Sequence, residues 1–192
     1  MVGLDEVGRG ALAGPVVAAA VFFRAKIGGL TSANLAEVRP PLLLRDSKKL
    51  SAKKREYFYK ILTKNPDIEW GIGRVSERMI DKINILEATK LAMGKAINNL
   101  KSRVDFLILD GNFRIRTKIP QKSIIKADEK VFSCAAASII AKVNRDKLMM
   151  RYHKKYPQYG FDKHKGYPTR LHRLMIKKHG FCKIHRKSFR WG

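Results

Sequence analysis

Val2-Gly3-Leu4-Asp5-Glu6-Val7-Gly8-Arg9-Gly10 sets two adjacent carboxylates at the end of an apolar run and follows them at once with a glycine-arginine-glycine turn. On a strand, neighbouring side chains point to opposite faces, so Asp5 and Glu6 diverge unless the strand ends there and the backbone turns. Gly8 and Gly10 suit such a turn, because glycine reaches positive φ and lets a ligand approach the main chain closely. The motif recurs. Phe106-Leu107-Ile108-Leu109-Asp110-Gly111 is apolar on both faces, as a central, doubly covered strand is, and it too ends in a carboxylate and a glycine. Ser123-Ile124-Ile125-Lys126-Ala127-Asp128 reads as a short strand ending in acid. Ligand sites in open α/β sheets lie beyond strand ends, so three strands that each terminate in a carboxylate predict one convergent site.

The rest of the chain supplies a frame for that site. Val16 to Phe23, entered through Pro15, reads as a strand hairpin-paired with the first, and Ile68 to Val75 as another, with Trp70 and Ile72 available to one face. Ser51 can N-cap a helix running to about Thr63, with Tyr57, Phe58, Ile61 and Leu62 as its apolar face. Ser76 begins a short helical turn, and Asn84, with Glu87 three residues on, starts a helix to Leu100; further helices are expected from Lys130 to Tyr152 and from Arg170 to His179, the last ended by Gly180. Arg24 to Leu44 shows no clean periodicity and reads as a surface loop.

Composition narrows the class. The 192 residues carry 41 Lys+Arg against 16 Asp+Glu, a net charge of +25, which favours a polyanionic partner and above all nucleic acid. Cys134 and Cys182 lack metal-ligand spacing and read as small buried residues of a reducing compartment. No apolar run approaches the roughly 18 residues of a membrane helix, so a soluble, cytoplasmic protein with no membrane partner is expected.

Carboxylates gathered in so cationic a protein need a counter-charge. Asp5, Glu6, Asp110 and Asp128 would repel one another, and divalent metal removes the conflict. Mg²⁺ takes oxygen ligands from a few carboxylates and a substrate phosphate. Two such ions stabilise both the attacking water and the leaving oxygen of a phosphodiester displacement. Phosphodiester hydrolysis on nucleic acid is the predicted chemistry. The competing reading is a basic nucleic-acid-binding protein with structural acids, which gives no reason for carboxylates at three successive strand ends.

Eight segments, in order, resemble the type 2 ribonuclease H family. They are Gly3 to Gly10, Leu12 to Val16, Asp46-Ser47-Lys48-Lys49-Leu50, Leu109 to Gly111, Ala127-Asp128, Ala136 to Val143 with Arg145-Asp146, His164 to Thr169, and His185 to Phe189. The resemblance implies an α/β fold: a ribonuclease H-like mixed β-sheet flanked by helices in residues 1–152, with a C-terminal helical, substrate-binding extension in residues 153–192. It implies cleavage of the RNA strand of RNA/DNA hybrids and incision 5′ of single ribonucleotides in duplex DNA, leaving 3′-hydroxyl and 5′-phosphate ends. It also implies Asp5, Glu6, Asp110 and Asp128 as ligands of Mg²⁺ or Mn²⁺, Gly8, Arg9 and Gly10 as the loop that senses the 2′-hydroxyl, and Tyr167 as the residue packed on the next deoxyribose. A monomer with a replication-clamp contact through the tail is expected. Glu129 stands where a small residue is common in the family and competes with Asp128 as a ligand. Lys48, Lys142 and Arg145 are expected phosphate contacts, and Asp146 a surface ion pair. His164, His172 and His185 are expected at phosphate or at the surface.

Overall fold

The computed structural model describes residues 1–24 and 50–190. A five-stranded sheet forms its centre, in the order β3-β2-β1-β4-β5. The strands are β1 (Val2–Val7), β2 (Val16–Phe23), β3 (Ile68–Val75), β4 (Leu107–Asp110) and β5 (Gln121–Ile124). β1 pairs antiparallel with β2 as the hairpin reading requires, while its other edge pairs parallel with β4. The helices are α1 (Ala52–Lys64), α2 (Glu77–Asn98), α3 (Ala127–Lys130), α4 (Phe132–Lys155), α5 (Phe161–His164) and α6 (Arg170–His179). The expected loop from Arg24 to Leu44 lies outside the described residues beyond Arg24 itself. Among the described residues no helix is long and apolar enough to cross a membrane.

Alternation along the central strands decides which helix covers which face. Val2, Leu4, Ala18 and Ala20 join Ala88, Ala92 and Ala96 of α2, whereas Ala19 and Val21 join Ala136, Ala137 and Ile140 of α4. Small residues on both partners bring helix and strand backbones unusually close. A Cβ on Gly73 would stand 1.8 Å from the Ala92 carbonyl oxygen, and one on Gly3 would stand 2.4 Å from Ser133 in α4. These contacts need glycine for space and not for its dihedral freedom.

Most boundaries follow local chemistry. Ser51 accepts from Lys54 N at 3.3 Å and caps α1, but Tyr57 and Ile61 of its predicted apolar face are exposed, leaving Leu62 as the buried anchor. α2 begins at a Ser76 cap, and Asn84 keeps its predicted role as a second start. Its φ is 66°, and its side chain accepts from Leu86 N and Glu87 N, so it starts a second helical segment across a kink. α6 spans the predicted residues, capped by Thr169 and ended by Gly180 at φ 70°.

The C-terminal segment is built into the body. Gly14 N donates to Ile184 O and Arg186 N to Leu12 O, both at 2.8 Å, so residues 184–186 run alongside the connection between β1 and β2. Asp81 in α2 accepts from Lys187 N, Ser188 N and the Ser188 hydroxyl. The histidines expected at the surface are buried here, with His164 8%, His172 0% and His185 3% exposed.

Gly73→Ala should lower the unfolding free energy by about 3 kcal/mol, because the methyl must push β3 off α2. Gly94→Ala, on the same helix with no neighbouring atom within 4 Å, should be neutral or mildly stabilising. Urea denaturation of the pair checks the contrast.

Candidate active site

Strand register assembles the acids. Gly3 pairs with Ile108 and Leu4 with Leu109 in the parallel β1–β4 ladder, so one step further Asp5 comes beside Asp110. Asp5 shares the α4 side of the sheet with Gly3, and the Ser138 hydroxyl of α4 hydrogen-bonds its carboxylate. Glu6 points the other way, as alternation demands, yet it sits so near the strand end that both line one cleft.

Asp128 arrives differently from the expectation. β5 stops at Ile124, Lys126 turns the chain through φ 57°, and Asp128 lies in the first turn of the short helix α3, not at a strand end. Asp110 Oδ1 accepts from Ala127 N at 2.7 Å, which fixes α3 against the end of β4. Asp5, Asp110 and Asp128 thereby each present an oxygen lying within 4.8 Å of the other two. Glu129, the competing ligand, turns outward and pairs with Lys126 at 3.6 Å.

The electrostatics are those of a centre short of positive charge. Burial, followed by the nearby Glu6 and Asp110 carboxylates, pushes the Asp5 carboxyl well above its usual range, and Ser138 offsets only part of this. Burial also raises Glu6, although Arg9 pairs with its Oε1 at 3.2 Å and draws it back. Glu6 Oε2 is buried with no hydrogen-bond partner among the described residues. Buried polar atoms are ordinarily satisfied, so an orphaned carboxylate oxygen beside three converging acids fits a divalent cation held by oxygen ligands.

Asp5, Glu6 and Asp110 open into a cleft of about 420 Å³, lined also by Val7, Gly8, Arg9, Gly10, Arg55, Ser138, Lys142 and Tyr167, with Asp128 buried behind them. Eight of the residues singled out from the sequence meet there: Asp5, Glu6, Gly8, Arg9, Gly10, Asp110, Lys142 and Tyr167. Gly8 has φ 89°, and a Cβ there would lie 2.1 Å from Arg145 Nε. Gly10 has nothing within 4 Å of where a Cβ would be, so its main chain is open to an approaching ligand. Lys142 pairs with Asp146 at 2.7 Å, one turn along α4.

One expected phosphate contact falls elsewhere. Arg145 is 0% exposed, and its guanidinium donates to the carbonyls of Pro15, Lys165 and Ala13. It is a structural cation beneath the Tyr167 ring, 5.4 Å from its centroid, and not a surface group. Lys48 lies outside the described residues. Sequence reasoning also passed over Arg55 and Ser138. Ser138 sits in the small-residue face of α4, and the one signal for it was a hydroxyl among alanines; Arg55 looked like any surface arginine of a basic helix.

The chain matches the family model described as Ribonuclease HII over residues 2–191. It is 50% identical over 188 residues to a ribonuclease HII of Chlamydia trachomatis serovar L2, covering 97% of this chain and 80% of that one. It is 47% identical over 192 residues to one from Pelodictyon phaeoclathratiforme, covering 98% and 88%. Among solved structures it resembles the ribonuclease HII of Archaeoglobus fulgidus, seen in a complex with PCNA, with a TM-score of 0.77 at 27% identity over 98% of this chain and 94% of that one. Pyrococcus horikoshii ribonuclease H2 superposes with a TM-score of 0.73 at 26% identity, covering 99% and 93%.

Asp5→Asn removes one of the mutually repelling charges. In EDTA its melting temperature should equal or exceed the parent's, whereas the rise that millimolar Mn²⁺ or Mg²⁺ gives the parent should shrink, because ligand binding stabilises only through affinity for the folded state. Thermal melts with and without metal check both halves.

Proposed function

The chain belongs to the ribonuclease HII family, and from that premise we propose that it hydrolyses the RNA strand of RNA/DNA hybrids and incises duplex DNA 5′ of single ribonucleotides by two-metal-ion phosphodiester hydrolysis. Membership makes it a ribonuclease H, a hydrolase of the nuclease class. The observation that carries the finer reading is the convergence of Asp5, Asp110 and Asp128 within 4.8 Å, beside the orphaned oxygen of Glu6, in a protein of net charge +25. A basic exterior holds the polyanion, and a small acidic centre has no use in binding alone.

In this reading Asp5, Glu6, Asp110 and Asp128 hold Mg²⁺ or Mn²⁺. Divalent ions held there would supply Lewis-acid activation of the attacking water and charge stabilisation at the departing oxygen, chemistry that yields 3′-hydroxyl and 5′-phosphate ends. The chain's own groups position the substrate. The open main chain at Gly8 to Gly10 is the element we assign to the 2′-hydroxyl, the group that distinguishes ribose from deoxyribose. Tyr167, on the same cleft, packs on the neighbouring deoxyribose, and Lys142 with Arg55 gives the cleft its positive wall against a phosphate. Residues 153–192 serve as the substrate-binding extension. The PCNA complex of the A. fulgidus relative supports a sliding-clamp partner here as well. The surface for it does not include His185 or Arg186, which are buried.

A duplex carrying one ribonucleotide, run beside an all-DNA control, tests the proposal. We expect metal-dependent incision 5′ of the ribonucleotide, no cut in the control, and a loss of roughly 100-fold or more in Asp110→Asn. Tyr167→Ala should lower activity on the single-ribonucleotide duplex more than on a continuous hybrid. Incision without added metal, or an undiminished Asp110→Asn, would refute the centre; an equal loss on both substrates would refute the junction-reading role of Tyr167.

A further inference from the structure

The two elements assigned above to reading the substrate, the Gly8–Gly10 loop and Tyr167, are far apart in sequence and held by the same short C-terminal segment. Arg186 is 1% exposed, and its guanidinium donates through Nη1 to Arg9 O at 2.8 Å, through Nη2 to Gly8 O at 2.7 Å and through Nε to Gly14 O at 3.0 Å. Two of those carbonyls belong to the loop itself. The peptide units of Gly8 and Arg9 therefore cannot rotate without unmaking charge-assisted bonds in a site that excludes water.

Its neighbour His185 reaches the other element through a hydrogen-bonded relay. Cys182 N donates to His185 Nδ1 at 2.9 Å, His185 Nε2 meets His172 Nε2 at 3.1 Å, and His172 Nδ1 lies 3.0 Å from Tyr167 O. A carbonyl only accepts, so His172 carries its proton on Nδ1 and its Nε2 accepts. A main-chain N–H only donates, so His185 carries its proton on Nε2 and donates to His172. One arrangement of neutral tautomers satisfies every member, and burial holds both imidazoles down at about 4, which keeps them neutral near pH 7. The direction of donation runs from the tail to the Tyr167 carbonyl.

We propose that Arg186 and His172 are positioning residues for substrate reading: Arg186 sets the peptide planes of the ribose-sensing loop, and His172, held by His185, sets the backbone of Tyr167. The inference rests on the reading that the loop and Tyr167 contact the sugar pair at the cut. Neither residue reaches the substrate, since both are buried behind the elements they hold. Displacements near 1 Å at positioning groups can lower rates by about 100-fold, so a small loosening is measurable.

The test uses the full chain and folded variants verified by circular dichroism. His172→Phe keeps the ring between His164 and Phe161, whose centroids lie at 4.4 and 5.4 Å, but deletes both hydrogen bonds. The ratio of kcat/KM on the single-ribonucleotide duplex to that on a continuous hybrid should fall roughly tenfold, and adding Tyr167→Ala should lower it no further. Arg186→Lys keeps the charge but cannot span three carbonyls. In EDTA, where nothing is cut, its preference for binding the one-ribonucleotide duplex over all-DNA should contract toward unity. If Arg186→Lys fails to fold, His172→Phe decides. A folded His172→Phe with the parent's substrate ratio, or one additive with Tyr167→Ala, overturns the proposal. Parent protein with no binding preference, or Tyr167→Ala with no substrate bias, overturns instead the sugar-reading assignment on which it stands, and so the two failures are distinguishable.

Discussion

Arg145 and Arg186 carry positive charge to places with almost no water, and in each the guanidinium is satisfied by three main-chain carbonyls. Burying a charge without such partners is prohibitive. Here the geometry is reciprocal. Gly8, Arg9, Ala13, Gly14 and Pro15 sit in an irregular connection between two strands, where their carbonyls have no continuous ladder to join. The arginines need acceptors and the connection needs donors. Burial pulls Arg186 down to about 9, the neighbouring Arg145 adding to it, which leaves it charged near neutrality. Everything the cleft presents to a ligand on this side hangs from these bonds.

The acidic centre obeys a complementary constraint. Parallel pairing of β1 with β4 forces Asp5 and Asp110 together, and the αL turn at Lys126 swings Asp128 in beside them. Folding alone gains nothing from that convergence: burial first, and then the neighbouring Glu6 and Asp110 carboxylates, raise the Asp5 carboxyl. The acids thus converge at the end of a well-covered sheet, with α2 and α4 sealing its two faces. Such local conflicts between stability and arrangement concentrate at sites of chemistry.

Much of this was legible in the sequence, and for identifiable reasons. β3 and α6 match their expected spans because glycine, proline and caps bracket them, and the apolar runs before Asp5 and Asp110 announced central strands. Asp128 was legible as a member of the centre but not in its setting. Ile124-Ile125 argues for continued strand, and a lysine at positive φ leaves no trace in composition. Arg145 misled because Asn144-Arg145-Asp146 reads as a polar helix surface; only the tertiary fold shows the carbonyls that accept from it. The histidines misled for the same reason. His172 and His185 meet across 13 residues, and their partners are a backbone oxygen and a backbone nitrogen, which no spacing rule encodes.

Residues 8 and 9 are shaped by a side chain 177 or 178 positions later. A turn near one end of the sequence thus takes its form from a guanidinium near the other, across nearly the whole length between them. Without that guanidinium the carbonyls of Gly8 and Arg9 would lose their charged donor. Contacts of such large sequence separation are the slowest to close, so the shape of this turn is a property of the whole fold and not of its own few residues.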